Sequence, residues 1–159
     1  MIKKQILDAI SMNSRRSTED LAAMLNTGTD TIEHEIKEME DNKVICGYPT
    51  LINWDRTDCE KVTALIEVKV TPQRDMGFNK VAERIYKFEE VESVYLMSGS
   101  FDLTVIIEGK SMKEVSRFVT EKLSTLEYIT STATYFVLKK YKDHGTIMVS
   151  ETNKKERQL

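Results

Sequence analysis

Two apolar, β-branched-rich runs, Val94-Tyr95-Leu96-Met97 and Leu103-Thr104-Val105-Ile106-Ile107, stand either side of Ser98-Gly99-Ser100-Phe101-Asp102. So short a polar break between two extended runs predicts a β-hairpin with a loop of three to five residues. Gly99 supplies backbone freedom there, and the serines and Asp102 can bond local backbone groups. In the second run Leu103, Val105 and Ile107 share one face, while Thr104 and Ile106 share the other. Both faces are largely apolar, so this strand is expected to be central and covered on both sides. Two readings of the loop follow from its residues. It is a plain turn held by an Asx-type bond from Asp102, or a ligand loop. In the second case Gly99 admits a ligand to the backbone, Ser98 and Ser100 hydrogen-bond it, and Asp102 takes an ammonium group.

Around this hairpin the second half of the chain reads strand, helix, strand, strand, helix, strand. Val62, Ala64, Ile66, Val68 and Val70 alternate with Thr63, Leu65, Glu67 and Lys69, as in a strand with one face committed to a core. Phe78, Val81, Ala82, Ile85 and Phe88 form the stripe of an amphipathic helix. Ser111 is placed to cap a second helix, with Glu114 at the capping-box position and Met112, Val115, Phe118, Val119 and Leu123 on its buried face. Ile129 to Tyr141 is the last strand, with the hydroxyl run Thr130, Ser131, Thr132 and Thr134. This order is the split β-α-β unit of a ferredoxin-like fold, with both helices on one face of a four-stranded antiparallel sheet. The uncovered face, with Leu65, Ile106, Phe136 and Leu138 among its candidates, is too apolar to stay wet and is expected to be buried in a homodimer.

The first 45 residues have a different character. Ile2, Ile6, Leu7, Ala9 and Ile10 recur at helical spacing. After Asn13-Ser14-Arg15-Arg16, Ser17 or Thr18 caps a second helix whose first turn carries Glu19 and Asp20. Asn26-Thr27-Gly28 is a turn, and a third helix runs from Thr29 or Asp30 with Ile32, Ile36 and Met39 inward. Asp41-Asn42-Lys43 ends it, Asn42 being tolerant of the left-handed conformation. Three short helices, the last two joined by a tight turn, make a helix-turn-helix pattern. Val44 to Asn53 is β-branched, with Pro49 confining it to an edge or linker, and is taken as a connecting strand. The expected organisation is a helix-turn-helix domain over 1–45, a connecting strand and linker over 46–60, a ferredoxin-like domain over 61–142 and a C-terminal tail over 143–159. The fold class is α+β.

Composition narrows the chemistry. The chain has 159 residues, 40% hydrophobic and 31% charged, with a net charge of −3. No apolar run approaches the ~20 residues of a membrane span. The N-terminus lacks a signal-peptide core, so a cytoplasmic protein with no membrane partner is expected. Cys46 and Cys59 have no metal-type spacing and are expected to be buried or idle. His34 and His144 are far apart. Catalytic residues, a metal site and a cofactor are not expected. An acylphosphatase-like activity would need a glycine-rich phosphate loop after the first strand. The loop Thr71–Gly77 contains Arg74 without that spacing.

A helix-turn-helix, a connecting strand and a ferredoxin-like module with Gly99-x-Phe101-Asp102 in its central hairpin resemble the Lrp/AsnC family of transcription factors over about residues 2–142. The strongest match runs from Leu96 to Leu103, through the helix from Ser111, to Ser131-Thr132-Ala133. The resemblance implies a regulator that binds double-stranded DNA through the helix-turn-helix. It also implies an amino acid or small metabolite as effector, and dimers that can assemble as tetramers of dimers, that is, octamers. It places the hairpin loop near the effector site and carries over Gly99 and Asp102 directly. Phe101 stands where the family usually has Tyr. Ser98, Ser100, Thr130 and Ser131 are adjacent polar candidates.

The third helix departs from the family pattern. Gly28 stands at the usual Ser position, and His34-Glu35 replaces a basic pair before Ile36-Lys37. Residues 1–60 carry seven Lys and Arg against twelve Asp and Glu, whereas residues 61–159 carry sixteen against fourteen. Six carboxylates and one base, Lys37, lie between Thr29 and Asp41. Most of the affinity for phosphates comes from Lys and Arg. Arg15, Arg16, Lys37 and Lys43 are the candidate phosphate contacts, and Thr27, Thr29 and Thr31 the candidate base or phosphate contacts. The acidic helix supports an alternative reading: a metabolite-sensing or protein-docking module with weak or no DNA binding.

Overall fold

A computed structural model describes residues 1–71 and 77–149. The chain forms two compact units, Met1–Leu51 and Ile52–Leu159. The expected loop around Arg74 and the polar run from Glu151 lie outside the described residues.

The first unit is three helices: α1 (Ile2–Met12), α2 (Thr18–Leu25) and α3 (Thr29–Asp41). Their apolar stripes meet in a core of Ile6, Leu21, Ala22, Ile32, Met39 and Ile45. Ser17 caps α2, its Oγ accepting from the Asp20 N–H at 3.0 Å. Asn26 closes α2 in the left-handed region (φ 50°), which turns the chain directly into α3. At the end of α3 the left-handed residue is Lys43 (φ 57°), not Asn42, whose φ is −83°. Asn42 instead turns its side-chain amide back to the Glu38 carbonyl at 2.9 Å. That leaves Lys43 to make the reversal that lets Val44 and Ile45 both donate to the Met39 carbonyl. The stretch after Ile45 is not a strand: it enters no ladder among the described residues and ends in a 3-10 turn at Trp54–Arg56. β-branching favours extended backbone, but a strand also needs a neighbour to bond.

The second unit holds β1 (Val62–Val70), α4 (Gly77–Tyr86), β2 (Val91–Leu96), β3 (Leu103–Gly109), α5 (Met112–Phe118) and β4 (Ile129–Phe136). The sheet order is β2-β3-β1-β4, all antiparallel, which is the ferredoxin-like arrangement. One face carries Ala64, Ile66, Val68, Val105 and Ile107 against Val81 and Ile85 of α4 and Val115 and Phe118 of α5. The side chains of Ala64, Ile66 and Val68 are fully excluded from solvent. α5 continues as a π-helical turn, Val119–Leu123, whose wider coil still delivers Val119 and Leu123 to this core. Ser111 caps α5 as expected, but the Glu114 carboxylate reaches the Lys110 N–H at 2.6 Å, one residue before the cap. Phe88 packs edge-on against Phe118 at 5.4 Å, and Lys122 lies over both rings while pairing with Glu90.

The register assigns the other face. Ala64 opposes Phe136 and Leu65 opposes Tyr135, so Phe136 belongs to the helix side and packs on the core. The outer face is therefore Leu65 and Glu67 of β1, Thr104 and Ile106 of β3, Tyr95 of β2, and Ala133 and Tyr135 of β4. Helices cover β3 on one side only. Leu138 lies past the end of β4 and is 94% exposed. Thr132 and Thr134 of the hydroxyl run face the helices, and Ser131 faces away.

The residues from 143 do not begin a loose tail. Lys142–Asp143 (β5) and Thr146–Ile147 (β6) form a small hairpin across His144-Gly145, both at positive φ. Met148, which the hairpin delivers, is buried, and its carbonyl accepts from Asn53 Nδ2 at 2.8 Å. Glycine at the turn and an apolar residue three positions later were the signals for this. Both cysteines are exposed free thiols rather than buried ones.

Candidate functional site

The hairpin loop is built by its own backbone bonds. The Met97 N–H donates to the Asp102 carbonyl at 2.8 Å, one bond beyond the last ladder pair, Leu96–Leu103, so residues 98–101 form the tip. Gly99 has φ 157°, and a Cβ there would meet nothing within 4 Å. Backbone conformation rather than space is what reserves this position for glycine. Asp102 fastens the loop to the end of β1. Its N–H donates to the Val68 carbonyl at 3.0 Å, and its Oδ2 accepts from the Val70 N–H at 2.8 Å. The bond is not the local Asx turn, since it crosses to another strand. Oδ1 keeps acceptor capacity for a further donor.

Thr130 and Ser131 arrive at the same strand end from the opposite side. Lys69 pairs with Ser131 and Val70 pairs with Ile129, so Thr130 is the extra residue of a β-bulge, and its Oγ1 donates to the Lys69 carbonyl at 3.2 Å. Tyr128, just before it, is held at φ 77°. Its carbonyl accepts from the Thr71 N–H at 2.9 Å. Asp102 and Thr130 thus lie on opposite flanks of Val68–Val70. Ser98, Gly99, Ser100, Thr130 and Ser131 are exposed, and Phe101 and Asp102 are half-buried. The sequence suggested the loop and the hydroxyl pair separately. The strand end that joins them, and the strained Tyr128, went unread, because an αL tyrosine and a bulge leave no mark in an apolar pattern.

In the first unit, α3 disposes of half its acidity internally. Lys3 of α1 lies 2.6 Å from Glu38 and 3.6 Å from Glu35, and the Tyr48 hydroxyl donates to Glu40 at 2.7 Å. The Lys3 hydrogen bond holds the Glu38 carboxyl below the usual range, and the Glu38 bond raises Lys3 in turn. Both groups are at the surface, so this sets charge state rather than stability. Asp30, Thr31, Glu33, His34, Lys37 and Asp41 make up the exposed face of α3. Thr29 opens the helix and Thr27 donates its N–H to Ala22, both half-buried. Arg15 and Lys43 are exposed, and Arg16 bends its guanidinium onto the Met24 sulfur at 3.1 Å.

A three-helix unit is thus followed by a ferredoxin-like unit with its candidate site at the end of β1. Residues 63–147 match the family model described as the Lrp/AsnC ligand binding domain. The uncharacterised HTH-type transcriptional regulator YugG of Bacillus subtilis (strain 168) is 51% identical over 144 residues, spanning 90% of this chain and 87% of that one. The structure of E. coli AsnC aligns over 87% of this chain and 91% of its own with a TM-score of 0.66 at 20% identity. The transcriptional regulator NMB0573 of Neisseria meningitidis, solved as an L-Met complex, aligns over 92% and 94% with a TM-score of 0.72 at 21% identity. The chain belongs to the Lrp/AsnC family. It is an Lrp/AsnC-type transcriptional regulator with a ligand-binding domain, and the alternative of a module with little DNA binding is not favoured. No helix among the described residues is long and apolar enough to cross a membrane.

Tyr48 provides a direct check on the bond that occupies Glu40. Burial, then the hydrogen bond and charge of Glu40, push the phenol up to about 12 from its ordinary 10.0. A raised folded value means the contact contributes fully below pH 10.0 and is lost as pH rises through about 12. The difference between ultraviolet titrations of the wild type and Tyr48→Phe isolates this tyrosine. Its midpoint is expected near the upper value, and a midpoint at the ordinary value would detach Tyr48 from Glu40.

Proposed function

We propose that this protein is a DNA-binding regulator gated by an amino acid or small metabolite held at the end of β1, and that it works as a homodimer able to assemble further into octamers. The carrying observation is that the 98–102 loop and Thr130-Ser131 meet the same strand end, Val68–Val70, from its two flanks, with exposed hydroxyls on both sides and a carboxylate with spare acceptor capacity on one. The L-Met complex of the Neisseria relative supports an amino acid as the ligand class. In this reading Asp102 receives the ammonium group, Ser98, Ser100 and Ser131 donate to the carboxylate or polar groups, Thr130, whose proton is held by the Lys69 carbonyl, accepts from a ligand donor, Gly99 admits the ligand, and Phe101 packs against it. The site of action is the cytoplasm, with the DNA.

Arg15, Arg16, Lys37 and Lys43 serve as phosphate contacts, with Thr27, Thr29 and Thr31 at the entry of α3. Helix-turn-helix recognition places the first turns of the second helix against the bases. The pairing of Glu35, Glu38 and Glu40 with groups of their own unit leaves Asp30, Glu33 and Asp41 as the carboxylates to be matched. Anisotropy titration of duplex DNA from its own promoter at ~50 and ~200 mM salt should show affinity falling with salt. Glu33→Lys should raise affinity and steepen the log–log salt slope by about one. An unchanged slope would remove this face of α3 from the DNA.

The outer sheet face supports dimerisation: Leu65 and Ile106 are half-buried and Tyr95 and Tyr135 remain 52% and 53% exposed in one chain. Sedimentation velocity at micromolar concentration should show a dimer or larger species, with Leu65→Glu shifting it toward monomer. A monomeric wild type would refute the dimer.

Asp102→Asn separates charge from architecture. The amide oxygen still accepts from the Val70 N–H, so the loop keeps its anchor, while the negative charge is gone. An amino-acid mixture should raise the melting temperature of the wild type and fail to do so for Asp102→Asn. A preserved shift would leave Asp102 as an anchor only.

A further inference from the structure

A second concave region lies in the ferredoxin-like unit, on residues that the effector site does not use. Two adjoining shallow clefts share Asn53, Asp55, Lys139, Lys140 and Met148. The first adds Trp54, Lys61 and Glu108, and the second adds Arg56. The walls therefore carry four cations, Arg56, Lys61, Lys139 and Lys140, against two carboxylates, Asp55 and Glu108.

The cations divide into two sorts. Lys61 lies 2.7 Å from Glu108 and 4.4 Å above the centre of the Trp54 ring, and Lys140 lies 3.7 Å from Glu108 and 3.9 Å from Asp143. Glu108 is thereby shared between two lysines. Arg56 and Lys139 are exposed and enter no ion pair among the described residues, although Lys139 stacks its ammonium 5.2 Å from the Tyr141 ring. An excess of positive charge in a concave site is more effective than the same charge on a convex surface, because low-dielectric walls focus its field.

The cleft is also built rather than incidental. The 3-10 turn at Trp54–Arg56 presents Asp55 and Arg56 on one side. The β5–β6 hairpin closes the other: the Met148 N–H donates to the Tyr141 carbonyl at 3.0 Å, and the Met148 carbonyl takes the Asn53 amide. Backbone that the cleft needs is thus fixed before any ligand arrives, which lowers the ordering cost of binding.

We propose that this cleft binds a phosphate-bearing anion, with Arg56 and Lys139 as its principal contacts and Lys140 as a secondary one. The phosphate can be that of a free small ligand or of the DNA backbone, and the two sources are separable. The free-ligand arm does not depend on the effector site or on DNA binding.

The test uses the full chain and sodium pyrophosphate, titrated calorimetrically at constant ionic strength. The wild type should bind saturably with one site per chain, and Arg56→Gln/Lys139→Gln should bind about tenfold more weakly, as loss of two exposed charge contacts implies. Both side chains are exposed, and melting without anion checks that the variant folds. Asp55→Asn, which removes a repulsive carboxylate, should tighten binding, a gain that damage to the fold cannot produce. If the double variant keeps its affinity for a random-sequence duplex, the ligand is a free phosphate compound. If affinity for the duplex falls in parallel, the phosphate is that of DNA. Heats that never saturate, or equal binding by wild type and double variant, would overturn the proposal.

Discussion

The double pairing of β1 is the interaction on which the second unit depends. This strand bonds β3 along one edge and β4 along the other. Its inward side chains Ala64, Ile66 and Val68 are wholly withdrawn from water, so each also anchors helix packing. A strand satisfied on both edges has no backbone group left to exchange with solvent until its last residues. Only there, at Val68–Val70, do side-chain groups from neighbouring elements substitute for regular ladder bonds. The candidate effector site is built at that ending, where a strand paired on both edges gives way to irregular structure.

Much of this fold was legible because its signals are periodic. Ala64, Ile66, Val68 and Val70 alternate, Val81 and Ile85 recur at helical spacing, and Ser17 and Ser111 stand where caps belong. The capping bonds to Asp20 and Glu114 follow directly from such spacing. What escaped was aperiodic or relational. Phe136 looked like an outer-face residue until the Ala64 register placed it on the helix side. Val44 to Asn53 had strand composition but no partner to make it one. Lys43, not Asn42, took the left-handed position, because the Asn42 side chain was already engaged with Glu38. In the site, Gly99 and Asp102 could be singled out by residue type. That the Asp102 carboxylate spans to Val70 could not, since nothing in a linear string relates positions 32 apart.

The acidic third helix shows why residue counts mislead without geometry. Six carboxylates within thirteen residues read as a surface hostile to phosphate. Folding assigns Glu35 and Glu38 to Lys3 on one flank and Glu40 to Tyr48 on the other. The charge that matters for a groove is what stays on the outward side, and there Lys37 and His34 lie among the remaining acids. Membership of a regulator family and an acidic helix are therefore compatible.

The bond that closes the hairpin has a wider implication. Met97 and Asp102 fix the frame, and Asp102 fixes the frame to β1, while Ser98, Ser100 and Phe101 take no part in either fastening. Around Gly99 the tip behaves as a replaceable cassette: Ser98, Ser100 and Phe101 can be exchanged without disturbing the sheet that presents them. A candidate effector site that borders such a tip can change its contacts while the scaffold stays still.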